Sequence, residues 1–258
     1  MRFEPCFWHP MRTRISQIFS VALAVLLIGC NAADNSSLPA TSAEEFPALS
    51  SSPTTAESGK EAYFSMTLLD VGQGLSFLVQ ADGAYLLYDG GGRSASSYVV
   101  SYLQQHEISQ LQWMVASHYD EDHISGLVGV LNTAEVERAM LPDYTTDTRI
   151  YQSLQDAIAE QKVPVVYPSQ GNVYTLGHAE IEVVGPGSNS YEKENDKSIC
   201  LRISYGNFRC PLTGDAEQEA ERDMVQAGQD LSCNLYVVGR HGSASSSGKA
   251  LFDAADPQ

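Results

Sequence analysis

The hexapeptide His118-Tyr119-Asp120-Glu121-Asp122-His123 crowds imidazoles and carboxylates into one turn of chain, and it sits between two different hydrophobic periods. Residues 112–117 before it read as a buried strand, whereas Ile124, Leu127, Val128 and Leu131 after it follow helical spacing. The cluster therefore occupies a strand-to-helix turn. Imidazole and carboxylate are the ligand types that hold borderline and hard divalent cations, and a catalytic ion needs several of them converging while one position stays open to water. The competing reading is a solvated loop whose aspartates cap the helix, which needs no metal.

Around this turn the chain alternates short strands and helices. Residues 64–71, 75–80 and 84–88 read as a meander of strands, with turns at Gly72-Gln73-Gly74 and Asp82-Gly83. A helix is predicted over residues 96–105, and Asp147 is placed to cap another that carries Ile150, Leu154 and Ile158. Residues 199–205 and 208–213 form a predicted hairpin over Gly206-Asn207, ending in Thr213-Gly214-Asp215 before a helix with Ala216, Ala220 and Met224. Residues 235–239 then read as an apolar strand delivering Arg240-His241-Gly242-Ser243. Three strand ends thus present the hexapeptide, Asp215 and His241. His106, late in a helix, and His178, in a turn, read as surface or capping residues.

The first segment is of another kind. An apolar run over residues 18–28 follows Arg12 and Arg14 and ends in Leu27-Ile28-Gly29-Cys30, a lipobox-like sequence. The run has the length of a signal-peptide core, so residues 1–29 are expected to be removed and Cys30 to become a lipidated N-terminus. Met11 is a candidate start. Residues 30–60, rich in Ser, Thr, Ala, Glu and Pro, hold no sustained hydrophobic period and are expected to be a tether. One domain is expected over residues 61–258, outside the cytoplasm and anchored by lipid to a bacterial cell envelope.

The formal charge of −17 becomes −19 once three arginines and one glutamate leave with residues 1–29. Such a surface argues against tight non-specific nucleic-acid binding, although a local metal site can still take a phosphodiester. Cys200, Cys210 and Cys233 have no CxxC spacing and so carry no zinc-ribbon or thioredoxin signal. They allow at most one disulfide. Composition sets no oligomeric state.

Several motifs in order resemble the metallo-β-lactamase superfamily, most closely the hydrolase domain of ComEC competence proteins. They are Leu69-Asp70-Val71-Gly72-Gln73-Gly74, Tyr88-Asp89-Gly90-Gly91, Ser117-His118 through Asp122-His123, Leu212-Thr213-Gly214-Asp215 and His241-Gly242-Ser243. The resemblance implies a four-layer αββα sandwich with a metal site where strands end, and a hydrolase. It places His118 and Asp120 at one metal position and Asp122 and His123 at a second. Asp215 would bridge, and His241 would close the second position. Asp89 is implied as a buried carboxylate that orients ligands.

The chain also departs from the family pattern. Asp120 stands where the broad pattern has His, as in the ComEC-like branch, which weakens the bias toward zinc and admits manganese or magnesium. Where a further imidazole is often found the chain has Asn195 and Asp196, either of which would have to substitute. Arg240 replaces one of two terminal histidines, and Leu75 stands where an acidic residue is common. ComEC-like domains continue past the His-Gly-Ser loop into another strand, so a final strand is expected to be missing after residue 258.

These readings converge on a hydrolase that uses one or two divalent ions, with Asp122 orienting the attacking water or taking its proton. Phosphodiesters are the leading substrate class. The alternatives are a lactone, lactam or other envelope-ester hydrolase, and a lipid-anchored binding protein with a decayed site. Lys249 and the serines at 243 and 245–247 could meet an anionic substrate or simply form a solvated loop.

Overall fold

A computed structural model describes residues 63–257, so the expected signal segment, Cys30 and tether lie outside the described residues. In chain order the elements are β1 (Phe64–Leu68), β2 (Phe77–Ala81), β3 (Ala84–Tyr88), α1 (Ser96–Gln105), β4 (Gln110–Leu111), β5 (Trp113–Val115) and α2 (Glu121–Leu131). There follow β6 (Glu135–Val136), β7 (Ala139–Met140), α3 (Arg149–Gln161), β8 (Val165–Val166), β9 (Val173–Leu176) and β10 (Ala179–Gly185). The last are β11 (Cys200–Tyr205), β12 (Phe208–Leu212), α4 (Gln218–Gln226) and α5 (Lys249–Ala255). No helix among the described residues is long and apolar enough to cross a membrane.

The opening meander closes over Asp82-Gly83, both at positive φ (+53° and +87°), which matches the primed turn that two-residue hairpins prefer. Antiparallel β1, β2 and β3 continue into parallel β5, β7 and β8 as a six-stranded sheet. A second sheet runs β12-β11-β10-β9, all antiparallel. β4 and β6 pair separately.

Alternation along the strands builds the layers. Leu86 and Tyr88 of β3 and Trp113 and Val115 of β5 point toward Ile181, Val183, Leu201 and Ile203 of the second sheet. The residues between them, Leu87 and Met114, point instead toward Ile124, Leu127 and Leu131 of α2 and Leu154 of α3. On the far side, Val184 and Cys200 pack under Ala220 and Met224 of α4 and Leu251 of α5. The result is the αββα sandwich, with period-two strands buried on both faces. Tyr88 ties its two sheets: its buried hydroxyl donates to the Ile199 carbonyl at 2.7 Å.

Three local expectations are corrected. β1 stops at Leu68 and β2 starts at Phe77, because the intervening loop swings wide to lay Gly74 against the α2 N-terminus. A Cβ on Gly74, whose φ is +121°, would lie 2.3 Å from the Asp122 carbonyl oxygen. The residue that caps α3 is Thr148 rather than Asp147, its hydroxyl accepting the Tyr151 N–H at 3.3 Å. Residues 235–239 form no strand. The N–H and C=O of Arg209 both face the outer edge of β12, where they bond Asn234, so Pro211 two residues on faces the same edge and has no N–H to give. The segment therefore follows β12 with its hydrogen bonds near its ends, through Asn234 and Leu235 to Arg209, and through the Gly239 N–H to the Ser247 hydroxyl and the Arg240 N–H to the Gly214 carbonyl.

Cys200, Cys210 and Cys233 are buried free thiols, and burial pushes the Cys210 thiol up to about 12. His106 caps α1 with Nδ1 2.8 Å from the Tyr102 carbonyl. His178 joins a clamp at the end of the sandwich formed by the hairpin turns. Asp82 accepts its backbone N–H at 2.8 Å and its ring Nδ1 at 2.7 Å, together with the Tyr205 hydroxyl at 2.8 Å. These bonds, the backbone N–H of His178 first, hold the Asp82 carboxyl well below the usual carboxylate range. A depressed folded-state value stabilises the fold above the unfolded value of about 3.9 and loses that contribution as the pH falls through the folded one. Asp82→Asn should therefore lower Tm at neutral pH, and the gap to the parent should close in strong acid. A Tm gap that is unchanged between about pH 6 and pH 2 would contradict the clamp.

Candidate metal centre

Asp120 occupies the N-cap position of α2 with extended backbone (φ −67°, ψ 146°), yet its side chain makes no capping hydrogen bond. That observation separates the two readings of the hexapeptide. The Asp120 carboxylate instead lies with Oδ2 3.4 Å from Nε2 of the buried His118. Asp122, one residue inside the helix, turns Oδ2 to within 3.3 Å of His241 Nε2.

The remaining groups arrive from the expected loops. Asp215 follows β12 in the Gly214 turn and places Oδ1 3.3 Å from His123 Nε2 and Oδ2 3.5 Å from His241 Nε2. His241 follows Gly239 and Arg240, and its Nε2 stands 3.3 Å from that of His123. Two ligand groups result, each with its candidate atoms within 4.8 Å of one another: His118, His123 and Asp215, and Asp122, His123 and His241. His123 thus stands between the two positions, whereas the resemblance implied it for the second alone.

Below them lies a buried hydrogen-bonded base. Asp89, fully buried, accepts the Ser117 N–H at 2.7 Å on Oδ1, and on Oδ2 the Ser117 hydroxyl at 2.7 Å and His123 Nδ1 at 2.8 Å. With its O–H directed at Asp89, the Ser117 hydroxyl oxygen can accept from His118 Nδ1 at 3.0 Å. Both imidazoles then carry hydrogen on Nδ1 and aim the Nε2 lone pair into the centre, the tautomer a metal ligand needs. Ser117 is the residue that the spacing of ligands did not single out. The base is set close against α2: a Cβ on Gly126 would meet the Gly90 carbonyl oxygen at 1.8 Å, so the loop after Asp89 rests directly on the helix.

The donors fit a cation. His118 Nε2 and Asp215 Oδ1 are buried and have no hydrogen-bond partner, a costly state for polar atoms unless an ion takes the lone pairs. Nε2 of His123 and Nε2 of His241 face each other at 3.3 Å, a distance at which one can donate to the other in the metal-free protein. Burial opposes charge on His123, but Asp89 and Asp215 outweigh it and push its pKa up to about 10. The carboxylates that draw a proton to that nitrogen draw a metal cation equally, and the two compete.

Asn195 and Asp196 do not join the cluster. The Asn195 amide donates to Glu217 Oε1 at 3.4 Å. Asp196 is buried and accepts the N–H groups of Glu217 and Ala220 on one oxygen, capping α4. Lys249 pairs with Asp253 within its own helix.

Two spaces meet at the centre. A polar cavity of about 470 Å³ is lined by Gln73, Asp120, Asp122, Asn195, Arg240 and Ser243, together with Asp215 and His241. An apolar trough of about 760 Å³ runs from the β1 end (Leu68, Leu69) along residues 235–239 to Asp215 and His241. Asp120 and Asp122, with side chains 49% and 33% exposed, leave the centre open to water.

A sandwich with oriented imidazoles and open carboxylates at its strand ends defines a metallo-hydrolase, a class whose centres hold divalent metal. The chain belongs to the metallo-beta-lactamase superfamily, whose profile matches residues 69–257. Curated relatives include ComE operon protein 3 of Bacillus subtilis (strain 168), 25% identical over 209 residues, 74% of this chain and 27% of that protein. Competence protein ComA of Neisseria gonorrhoeae is 28% identical over 198 residues, 75% of this chain and 26% of the relative. The chain thus spans about a quarter of the length of these relatives. A solved metallo-beta-lactamase of Cronobacter sakazakii (Enterobacter sakazakii) is 10% identical over 74% of this chain and 87% of that one, with a TM-score of 0.49.

Proposed function

We propose that the chain is a phosphodiesterase that works through one or two divalent ions held by His118, Asp120, Asp122, His123, Asp215 and His241. The observation that carries this reading is the ligand set itself. Three carboxylates share the centre with three imidazoles, a balance that suits manganese, zinc or magnesium and the hard oxygens of a phosphoryl group. A relative named as a competence protein supports a DNA-related phosphodiester as the substrate.

When bound, the metal lowers the pKa of a water toward neutrality and polarises the scissile phosphoryl centre. The protein does the rest. Asp122, partly exposed beside His241, orients the attacking water or takes its proton. Asp89 and Ser117 keep both buried imidazoles in the ligating tautomer, and Gly74 braces the helix end that carries Asp122.

The apolar trough favours a second reading, an ester or lactone with an acyl chain lying along Leu68 and Val238. Assays of the manganese- and zinc-loaded chain on bis(p-nitrophenyl) phosphate, a long-chain acyl lactone and a β-lactam decide between them. Metal-dependent turnover of the phosphodiester alone is the expected result. Turnover of the lactone alone would replace the proposal with the second reading, and metal binding without any turnover would favour a binding protein.

Lipidation at Cys30 would hold this activity at the cell envelope. Cys30→Ala should release the protein from the membrane fraction, and a variant that stays there with unchanged processing would rule the anchor out.

A further inference from the structure

The polar cavity beside the centre carries a group that the metal ligands do not explain. Among the residues that line it, Arg240 alone has a fixed positive charge, in a wall that also holds Asp120, Asp122 and Asp215. It is not a solvated surface arginine. Its Nη1 donates to Glu217 Oε1 at 2.5 Å and to the Ser245 hydroxyl at 2.5 Å. Glu217 is buried, with its other oxygen 2.5 Å from Lys193 Nζ.

One buried carboxylate therefore faces two cations, Arg240 on one oxygen and Lys193 on the other. The guanidinium also has donors to spare: Nε and Nη2 take no acceptor among the described residues. Backbone geometry adds a separate indication. Arg240 and His241 are consecutive non-glycine residues at φ +48° and +52°. Left-handed backbone is costly for such side chains and persists where surrounding structure imposes it, commonly at functional sites. Here it delivers the metal-facing imidazole and the guanidinium to one cavity wall.

We propose that Arg240 is the oxyanion-recognising residue of this centre, its free guanidinium edge binding phosphoryl oxygens of the substrate while Glu217 holds the group in place. The inference rests on the phosphodiesterase reading and deepens it. A planar fork with two unused donor positions suits a phosphoryl group, which offers paired oxygens. Lys193, more than half exposed, holds the other oxygen of Glu217 and so helps fix the carboxylate that anchors the guanidinium. An otherwise acidic protein thereby offers an anionic substrate one local attraction at the place where it reacts.

The test compares the full chain with Arg240→Gln and Arg240→Lys. Three quantities are read: metal content, calorimetric affinity of the manganese-loaded protein for inorganic phosphate, and KM and kcat for bis(p-nitrophenyl) phosphate. Loss of a charge-assisted contact should weaken phosphate binding and raise KM by about tenfold or more in Arg240→Gln, with metal content unchanged. Arg240→Lys should restore part of the affinity without the full fork.

Phosphate affinity of Arg240→Gln within about twofold of the parent would overturn the proposal, because the expected loss is about tenfold. Loss of metal from both variants would overturn it as well, since it would show that the Glu217 pair serves to position His241. The calorimetric comparison needs no turnover, so a chain that cleaves no phosphodiester refutes the phosphodiesterase reading and leaves the anion site separately testable. Competition by a dinucleotide against a glycerophosphodiester then distinguishes a nucleic-acid source of the phosphoryl group from a lipid one.

Discussion

Asp215→Ala should remove metal from the centre and lower turnover by roughly 10²- to 10⁴-fold, the range that follows loss of a positioned electrostatic or acid–base group. The expectation comes from position. Asp215 approaches both His123 and His241, one oxygen to each, and so reaches across the two ligand groups. Its buried Oδ1 lies 3.3 Å from His123 Nε2 and helps raise the pKa of that imidazole, so replacement by Ala also removes a charge partner of His123 in the metal-free protein. Melting of the metal-free variant should fall somewhat below that of the parent at neutral pH, while the rise in Tm on adding manganese should shrink. His178→Ala, far from the centre in the Asp82 clamp, serves as the control and should keep its metal. Unchanged metal content and unchanged turnover in Asp215→Ala would remove Asp215 from the assignment.

Asp89→Ala should be the more damaging change to the fold. Its two oxygens receive three bonds inside a fully buried base, from Ser117 twice and His123 once. Removing one partner of such a buried pair costs about 3–5 kcal/mol. Its φ of +58° adds strain for Ala, which tolerates left-handed backbone less well than Asp or Asn. Asp89→Asn separates the two effects, since it keeps the backbone preference and one acceptor while removing the charge. In that variant metal affinity should fall by about 10- to 100-fold, the usual consequence of disturbing a group that orients metal ligands. A folded Asp89→Ala with parental Tm and parental metal affinity would mean that the base is not needed.

The centre was legible in the sequence to the extent that it is local. The hexapeptide, Asp215 and His241 each follow an apolar strand or a recognisable turn, and the ordered motifs supplied the sandwich that brings them together. What the sequence hid is the work done across the chain. Ser117 looks like an ordinary small residue until Asp89, from a strand paired in parallel with β5, places an acceptor beside its hydroxyl. Asp196 looked like a ligand because it falls where a ligand is often found, but its acceptor role is set by α4, about twenty residues later, whose amides it caps. Residues 235–239 had the apolar content of a strand, and only the register of β12 reveals that Pro211 faces them.

That same proline divides the centre by rigidity. His118, His123 and Asp215 are buried and come from the laddered sheets and the helix packed on them, whereas His241 ends a segment fastened mainly at its extremities. An ion at the buried trio meets ligands carried by the sheets and α2, whereas one that takes His241 meets a partly exposed imidazole held through Gly239 and Arg240 at the end of a segment without a ladder. The two positions should then fill in order, the buried one at lower metal concentration. Hydrogen exchange at the amides of residues 235–239 would slow only with the second step, so a fold that withholds one ladder becomes a gauge of how fully its centre is loaded.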